Sequence, residues 1–111
     1  MQDRISAYRV MWLIVLYDLP TNSKKERKDA ARFRKEIMAY GFKMFQFSAY
    51  IRHVSSREHA DACKKSIRKI LPKEGFIGML EITDKQFEKM ELFYQLVKKP
   101  VPNAPIQLTL F

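Results

Sequence analysis

The segment RVMWLIVLY, Arg9 to Tyr17, is almost continuously apolar and constrains the fold of this chain more than any other. It is short and rich in Val, Ile and aromatic residues, which favours a β-strand over a helix. Because apolar residues follow one another without alternation, we expect a strand that is buried on both faces or lies at a dimer interface. The segment is much too short to span a bilayer.

A helix is predicted to follow the loop of residues 18–22. Ser23 and Glu26 have the spacing of a capping box, in which the hydroxyl accepts from a backbone amide and the carboxylate reaches back to the cap. Gly41 can adopt the left-handed conformation that ends a helix. The apolar face of this helix has the 3.6-residue spacing and consists of Ala30, Phe33 and Ile37.

Residues 42–54 alternate between two sets of side chains, which is typical of β-structure. The segment is long for one strand, so we expect two short strands with a bulge or kink near Phe47 and Ser48. Ser55 and Glu58 then repeat the capping-box spacing and predict a second helix, which Pro72 closes. The apolar stripe of that helix is Ala60, Cys63, Ile67 and Ile70.

Further elements are predicted towards the C-terminus. GFIGMLEIT, residues 75–83, indicates a strand, DKQFEKM a single helical turn, and ELFYQLV a last strand. The proline-broken linker KKPVPNAP leads to IQLTLF, residues 106–111, which has strand character.

The predicted order is strand, helix, two strands, helix and strand, followed by extensions. This order indicates an α+β, ferredoxin-like βαββαβ fold, with a mostly antiparallel sheet and both helices on one face. The other face of the sheet needs cover, which a second copy of the chain would provide. We therefore expect a homodimer, with a ferredoxin-like domain over residues 1–95 and a C-terminal linker and docking strand over residues 96–111.

The composition narrows the compartment and the class of partner. Lys and Arg number 21 against 12 Asp and Glu, a formal net charge of +9. This balance favours nucleic acid as the partner, although a solvated basic face would also account for it. With Cys63 as the one cysteine, neither an internal disulfide nor a cysteine zinc site can form, and the N-terminus lacks the pattern of a signal peptide. We expect a cytoplasmic protein with no membrane segment.

Asp18 stands between the apolar strand and a cluster of cations. An Asp beside a proline commonly makes a turn, and this is one interpretation. In the other, the carboxylate is a metal ligand. Magnesium usually takes one or two carboxylates, and a two-fold axis near Asp18 would bring the Asp18 carboxylates of two copies together. The cations oppose the helix dipole, which indicates either a bound phosphate or a solvated helix supported by local ion pairs. They are Lys24, Lys25, Arg27 and Lys28.

The residues from Tyr17 to Tyr50, YDLPTNSKKERKDAARFRKEIMAYGFKMFQFSAY, closely resemble the CRISPR-associated protein two family, in particular the versions that accompany type II systems. In that family a first strand ends in an aromatic-Asp pair, a basic helix follows, and a glycine leads into a Gln-aromatic-Ser strand. The resemblance extends more weakly to EITDKQFEKM, so that it covers residues 10–94.

The resemblance implies a ferredoxin-like homodimer that is a magnesium-dependent endoribonuclease, in some members also cutting DNA. It also implies a protein that bridges two dimers of the integrase, CRISPR-associated protein one, during spacer acquisition. The catalytic residue and metal ligand would be Asp18, and basic residues important for nucleic acid would be Lys25 and Arg27. Met44 is a departure, because several relatives have Arg there, and this bears on the strength of hydrolysis. The residues implied near the dimer axis are Tyr17, Ser48 and Tyr50.

The resemblance implies two compatible roles. In the first, two Asp18 carboxylates hold magnesium, which activates water and neutralises charge on the phosphate, while basic side chains position the backbone. In the second, the protein is a scaffold that clamps duplex DNA and docks its tail on the integrase by strand addition. The docking residues are Ile106, Leu108, Leu110 and Phe111. QLTLF, Gln107 to Phe111, also resembles the pentapeptide that binds the bacterial sliding clamp.

Two other classes have related features. An RRM-like RNA-binding module has the same order of elements, and Phe45 and Phe47 are candidates to stack on bases, although no RNP-like segment accompanies them. A toxin-like endoribonuclease of the virulence-associated D type shares the fold and the early Asp.

Overall fold

The computed structural model of this protein describes residues 11–94 and 97–99, the last group and residue 94 by their backbone. The elements of this part of the chain are β1 (Met11–Asp18), α1 (Lys24–Ala39), β2 (Lys43–Gln46), β3 (Ala49–Val54), α2 (Arg57–Arg68), β4 (Phe76–Thr83), α3 (Asp84–Glu88), β5 (Leu92–Tyr94) and β6 (Val97–Lys99).

Four of the strands form one antiparallel sheet in the order β2-β3-β1-β4. In the register of this sheet, Ile14 lies opposite Ile51 on one side and Leu80 on the other. The order of elements and the sheet confirm the predicted α+β, ferredoxin-like architecture. The first strand of the sequence is therefore a central strand, which explains why its segment is apolar throughout.

From Met11 to Val15 the strand β1 is buried on both faces of the sheet, as its sequence predicts, whereas Leu16 and Asp18 are exposed. One face packs against α1 and α2, through a core that includes Leu13, Val15, Phe33, Ile37 and Ile67. On the other face a smaller cluster forms around α3, in which Trp12, Ile14, Ile51 and Phe87 are buried. The chain thus covers part of the second face itself, with a helix of only five residues.

Both main helices have the caps that their sequences require, with one difference from the prediction. The capping box of Ser23 and Glu26 is present at the start of α1, and Gly41 has a φ of 90° after its end. In α2 the cap is Ser56, not the predicted Ser55, because the Ser56 hydroxyl accepts from the amide of His59. The amide of Ser55 donates to Nδ1 of His59, so a histidine replaces the expected Glu58.

The predicted kink between two short strands is a turn at residues 47–48. The register shifts between Met44 and Gln46, and Ser48 has a φ of 65°, which is uncommon for a residue with a side chain. The turn carries Phe47 out of the alternating pattern and leaves it 88% exposed, while Phe45 packs against the cluster around α3.

The prediction that ELFYQLV forms a single last strand is wrong. Leu92–Tyr94 and Val97–Lys99 form two short strands that pair antiparallel with each other in a separate sheet. The rest of the predicted linker, the docking strand and the sliding-clamp pentapeptide lie outside the described residues. Among the helices of the described residues, none has the length and apolar character to cross a membrane.

Candidate functional site

Asp18 is the last residue of β1 and lies opposite Phe76 of β4 in the sheet register. The prediction of a loop residue is therefore wrong by one position, because β4 extends far enough to pair with it. The side chain is exposed, and within residues 11–94 no ion pair or hydrogen bond to the Asp18 carboxylate is present. The interpretation of Asp18 as a turn former gains no support, since its carboxylate binds no backbone amide there.

The turn before β3 fixes the backbone next to Asp18. The amide of Tyr17 donates to the carbonyl oxygen of Ser48 at 3.0 Å. The Tyr17 ring lies edge-on against Phe33 of α1, with ring centroids 5.2 Å apart, and parallel to Tyr50 at 6.0 Å. Strand, helix and turn are thereby held together at the end of β1, and the direction in which Asp18 leaves the sheet is set by packing.

The hydroxyl of Tyr17 lies in a partly desolvated environment. Burial, the charge of Tyr50 and a side-chain hydrogen bond with Tyr50 together raise the pKa of Tyr17 to about 12, against the opposing charge of Arg34. Tyr17 is therefore a neutral phenol at physiological pH. Tyr50, at 1% exposure, belongs to the core on the helical side and stacks on Tyr17.

A groove of about 270 Å³ opens on the helical side of Asp18; we call it the Asp18 groove. It is lined by residues from the end of β1, the loop that follows, the middle of α1 and the turn before β3, which are Tyr17, Asp18, Leu19, Thr21, Ala30, Ala31, Arg34 and Ser48. Arg34 was not among the residues predicted from the sequence. Arg34 is sixteen residues from Asp18 along the chain, so the sequence does not show that both line one groove. The only indication is that Ala30, Ala31 and Arg34 lie on one helical surface.

On the other side of Asp18, an open apolar surface follows the second face of the sheet; we define this apolar face as Leu16, Phe76, Gly78 and Leu80. Leu16, Leu80 and Phe76 are 45%, 50% and 79% exposed. A hollow of about 340 Å³ is lined by Leu16, Phe76 and Gly78, and Tyr17 and Asp18 form the rest of its wall. Large side chains exposed side by side mark an interaction surface more often than a solvated one.

The predicted nucleic-acid-binding cations lie on the exposed first turns of α1, but they differ in their partners. Lys25 pairs with Asp29 at 3.0 Å, which holds the pKa of Asp29 below its usual value. The guanidinium of Arg27 donates to the carbonyl oxygen of Thr21 at 3.1 Å. Lys24 and Lys28 form no ion pair within the described part of the chain. These two are the cations most available to a phosphate chain.

The N-terminus of α1 is occupied by its own side chains. Glu26 Oε1 accepts from the amides of Asn22 and Ser23 at 2.8 and 2.9 Å, and the Ser23 hydroxyl accepts from the amide of Glu26. A phosphate at this helix end would meet the carboxylate of Glu26. The amides at this helix end are therefore already satisfied by the side chains of the chain itself.

Asp18 is the candidate ligand for a metal ion. In the stretch that the structure describes, no three His, Cys, Asp or Glu side chains come together as a metal cluster. Asp18 offers a single exposed carboxylate, next to an open groove with room for water and phosphate oxygens. This donor set fits magnesium, which binds one or two carboxylates and keeps several waters.

The chain is similar to known proteins along most of its length. The sequence profile of the family described as CRISPR associated protein Cas2 matches residues 11–90. The protein named CRISPR-associated endoribonuclease Cas2 of Flavobacterium psychrophilum is 55% identical over 109 residues, which are 95% of this chain and 93% of that protein. Proteins of the same name in Parvibaculum lavamentivorans and Paracidovorax avenae are 41% and 37% identical, over 91% and 96% of this chain and 100% and 99% of their own lengths.

These matches, together with the ferredoxin-like fold and the aromatic-Asp pair at the end of β1, define the class of protein. The chain belongs to the CRISPR-associated protein Cas2 family. The resemblance found in the sequence is confirmed, and the two alternative classes, the RRM-like module and the toxin-like endoribonuclease, are not supported.

Proposed function

We propose that this protein is a metal-dependent phosphodiester endonuclease that acts on RNA, with Asp18 as its catalytic carboxylate. The observation that carries the proposal is the position of Asp18, an exposed acid with no partner in residues 11–94 at the mouth of a groove in a strongly basic chain. An unpaired carboxylate in this setting is suited to hold a cation against a phosphate. The names of the relatives, which call them endoribonucleases, support the same activity.

The proposal includes a homodimer formed through the apolar face. Asp18 lies at one end of this face, so a two-fold axis near Phe76 would bring the Asp18 side chains of both copies towards each other. Two carboxylates would then be available to one magnesium ion. When bound there, magnesium would activate water as a nucleophile and neutralise charge on the phosphate.

The protein's own residues provide the remaining parts of the site. Lys24 and Lys28 are exposed cations that attract the phosphate backbone without reading its sequence. Lys25 and Arg27 lie on the same turns, and Arg27 also holds the loop after β1 through Thr21. Tyr17, neutral and packed on Phe33, maintains the direction of Asp18.

Substitution of Asp18 tests the activity. Asp18→Asn should lower the cleavage rate of a single-stranded RNA in magnesium by at least about a hundredfold, because the ligand charge is lost while the shape is kept. Asp61→Asn is the matched control, since it removes the same charge from an exposed site on α2. Cleavage by wild type should stop when the magnesium is chelated. Equal rates in wild type and Asp18→Asn would reject the assignment.

A second role is proposed in the same cytoplasmic pathway: a scaffold in spacer acquisition that binds duplex DNA and bridges integrase dimers. The exposed cations of α1 support it, because Lys24 and Lys28 have no ion-pair partner in the described residues. Lys24→Gln with Lys28→Gln should reduce the salt dependence of duplex binding by about two in the logarithmic slope. An unchanged slope would remove α1 from the interface.

The predicted tail residues 106–111 remain candidates for docking the integrase. Removal of residues 104–111 should abolish co-elution with the integrase and leave duplex binding intact, if strand addition by the tail is the contact. Retention of the integrase complex would place the contact elsewhere. The sliding clamp, added to the same truncated and full-length chains, tests the second interpretation of QLTLF.

A further inference from the structure

We propose that Arg34 is a substrate-contacting residue of the Asp18 groove, where its guanidinium binds the phosphate next to the bond that is cut. This inference rests on the proposed nuclease function and assigns a residue to it. The sequence between Asp18 and the end of α1 contains many cations, and the structure singles out this one by its position in the groove.

Among the residues that the structure describes, Arg34 is the cation that lines the Asp18 groove. It lies opposite the end of β1, because α1 packs its buried Phe33 against Tyr17. Its charge reaches the hydroxyl of Tyr17, whose pKa it lowers against the stronger effect of burial. Arg34 and Asp18 thus line the same small space, one from a helix and the other from the end of a strand.

Two other cations of α1, Lys25 and Arg32, have carboxylate partners, whereas Arg34 has none within residues 11–94. Arg32 extends towards Asp29 and Glu36, and Lys25 pairs with Asp29. Within residues 11–94 no ion pair includes Arg34, and none joins it to Asp18, although both line one groove. The space between them is therefore open to a group that can interact with both charges.

A phosphodiester, with a cation between it and Asp18, is the group that suits this space. A guanidinium presents a planar set of donors that matches two phosphate oxygens at once. Ala30 and Ala31 have side chains too small to fill the groove above the helix, and Thr21 and Ser48 add hydroxyl groups at its edge. The volume of about 270 Å³ has room for one phosphate and part of its sugar, rather than a folded nucleic acid.

The test compares Arg34→Gln with Arg32→Gln, an equal loss of charge two residues away on the same helix and outside the groove. Binding to a fluorescent single-stranded RNA oligonucleotide is measured with calcium in place of magnesium, a divalent cation that also takes carboxylate and phosphate oxygens, and a gel checks that the RNA stays intact. We expect Arg34→Gln to weaken binding about tenfold and Arg32→Gln by less than about threefold, because only the first loses a charge-assisted contact in the groove. Arg34→Lys should restore part of the affinity.

A second measurement reads the same contact without catalysis. The Nε–Hε resonance of Arg34, assigned in nuclear magnetic resonance spectra from its loss in Arg34→Gln, should shift when the oligonucleotide is added to wild type. Equal weakening of binding in Arg34→Gln and Arg32→Gln, or an unshifted resonance, would overturn the proposal. If wild type cuts no RNA, the nuclease function fails, and the binding comparison still decides whether Arg34 holds a phosphate.

Discussion

The indole Nε1 of Trp12 donates a hydrogen bond to Oδ1 of Asp84 at 3.0 Å, and this contact fastens α3 to the second face of the sheet. The Trp12 ring is fully buried and stacks on Phe87, with ring centroids 4.5 Å apart. The short helix thereby covers the end of the face that carries Trp12 and leaves the end that carries Leu16 open. The position of the open surface next to Asp18 follows from this contact.

Asp84→Ala should destabilise the protein by about 1–3 kcal/mol, because the buried indole N–H loses its acceptor. Asp84→Asn keeps a carbonyl oxygen in the same place and should cost less. Unfolding in urea, followed by Trp12 fluorescence, measures both changes. If Asp84→Ala and Asp84→Asn lower the free energy of unfolding equally, the hydrogen bond to Trp12 contributes nothing beyond the charge of Asp84.

His53 should make the stability depend on pH in the mildly acidic range. Its ring meets Trp12 edge-on at 5.3 Å, and burial lowers its pKa below 6.5, with Asp84 opposing and His59 adding to this effect. The unfolded chain therefore binds this proton more readily than the folded one. The contribution of His53 is fully present above about pH 6.5 and is lost as the pH falls towards its folded pKa.

Unfolding free energies of wild type and His53→Gln, measured from neutral to mildly acidic pH, check this dependence. The difference between the two proteins should change in the range just below pH 6.5 and become constant above it. His59→Gln serves as the comparison for a histidine in a helix cap, whose Nδ1 accepts from the Ser55 amide. A constant difference between wild type and His53→Gln at every pH would contradict the assignment.

Tyr17 should titrate as an abnormally weak acid. With a pKa of about 12 in the folded protein against 10.0 for an ordinary phenol, its neutral form is stabilised by folding. This contribution is present below about pH 10 and is lost as the pH rises through the folded pKa. An ultraviolet titration of tyrosinate should lose its most alkaline step in Tyr17→Phe. The prediction is refuted if the titration curve of Tyr17→Phe retains that step at the size it has in wild type.

Gly75 is required by the backbone beside Asp18. Its φ is 117°, and a Cβ there would meet Leu19 Cδ2 and lie 3.0 Å from the carbonyl oxygen of Asp18. Gly75→Ala should therefore cost about 1–3 kcal/mol of stability and displace the end of β1. Gly78→Ala is the control, because its Cβ would meet nothing within 4 Å. Calorimetric unfolding of both variants distinguishes a backbone effect from a general loss of glycine.

The sequence predicts the sheet and its main helices because each depends on local periodicity. The apolar run of β1, the capping box of Ser23 and the turn near Ser48 are all readable along the chain. The cap of α2 cannot be read from the sequence in this way. Two serines stand in succession, and Ser56 is the cap while the amide of Ser55 donates to the ring of His59.

The groove illustrates a second limit. Arg34 and Asp18 line the same groove because α1 packs on β1, and no spacing of residues in the sequence records that proximity. The separate pairing of Leu92–Tyr94 with Val97–Lys99 was also missed, since Gln95 and Leu96 lack the Gly or Asn of a common tight turn.

Self-association through the apolar face is the prediction on which the shared metal site depends. Leu80→Lys should weaken the dimer at least about tenfold, because it introduces a charge into a surface that would be dehydrated on association. Leu71→Lys is the matched control, since Leu71 is similarly exposed, at 44%, but lies outside this face. Light scattering should give twice the chain mass for wild type and Leu71→Lys and approach the single mass for Leu80→Lys. Magnesium-dependent cleavage should fall with the dimer, because one copy supplies only one Asp18. If wild type is a monomer, or if its dimer is insensitive to Leu80→Lys, the Asp18 residues of two copies do not share a metal site across the apolar face.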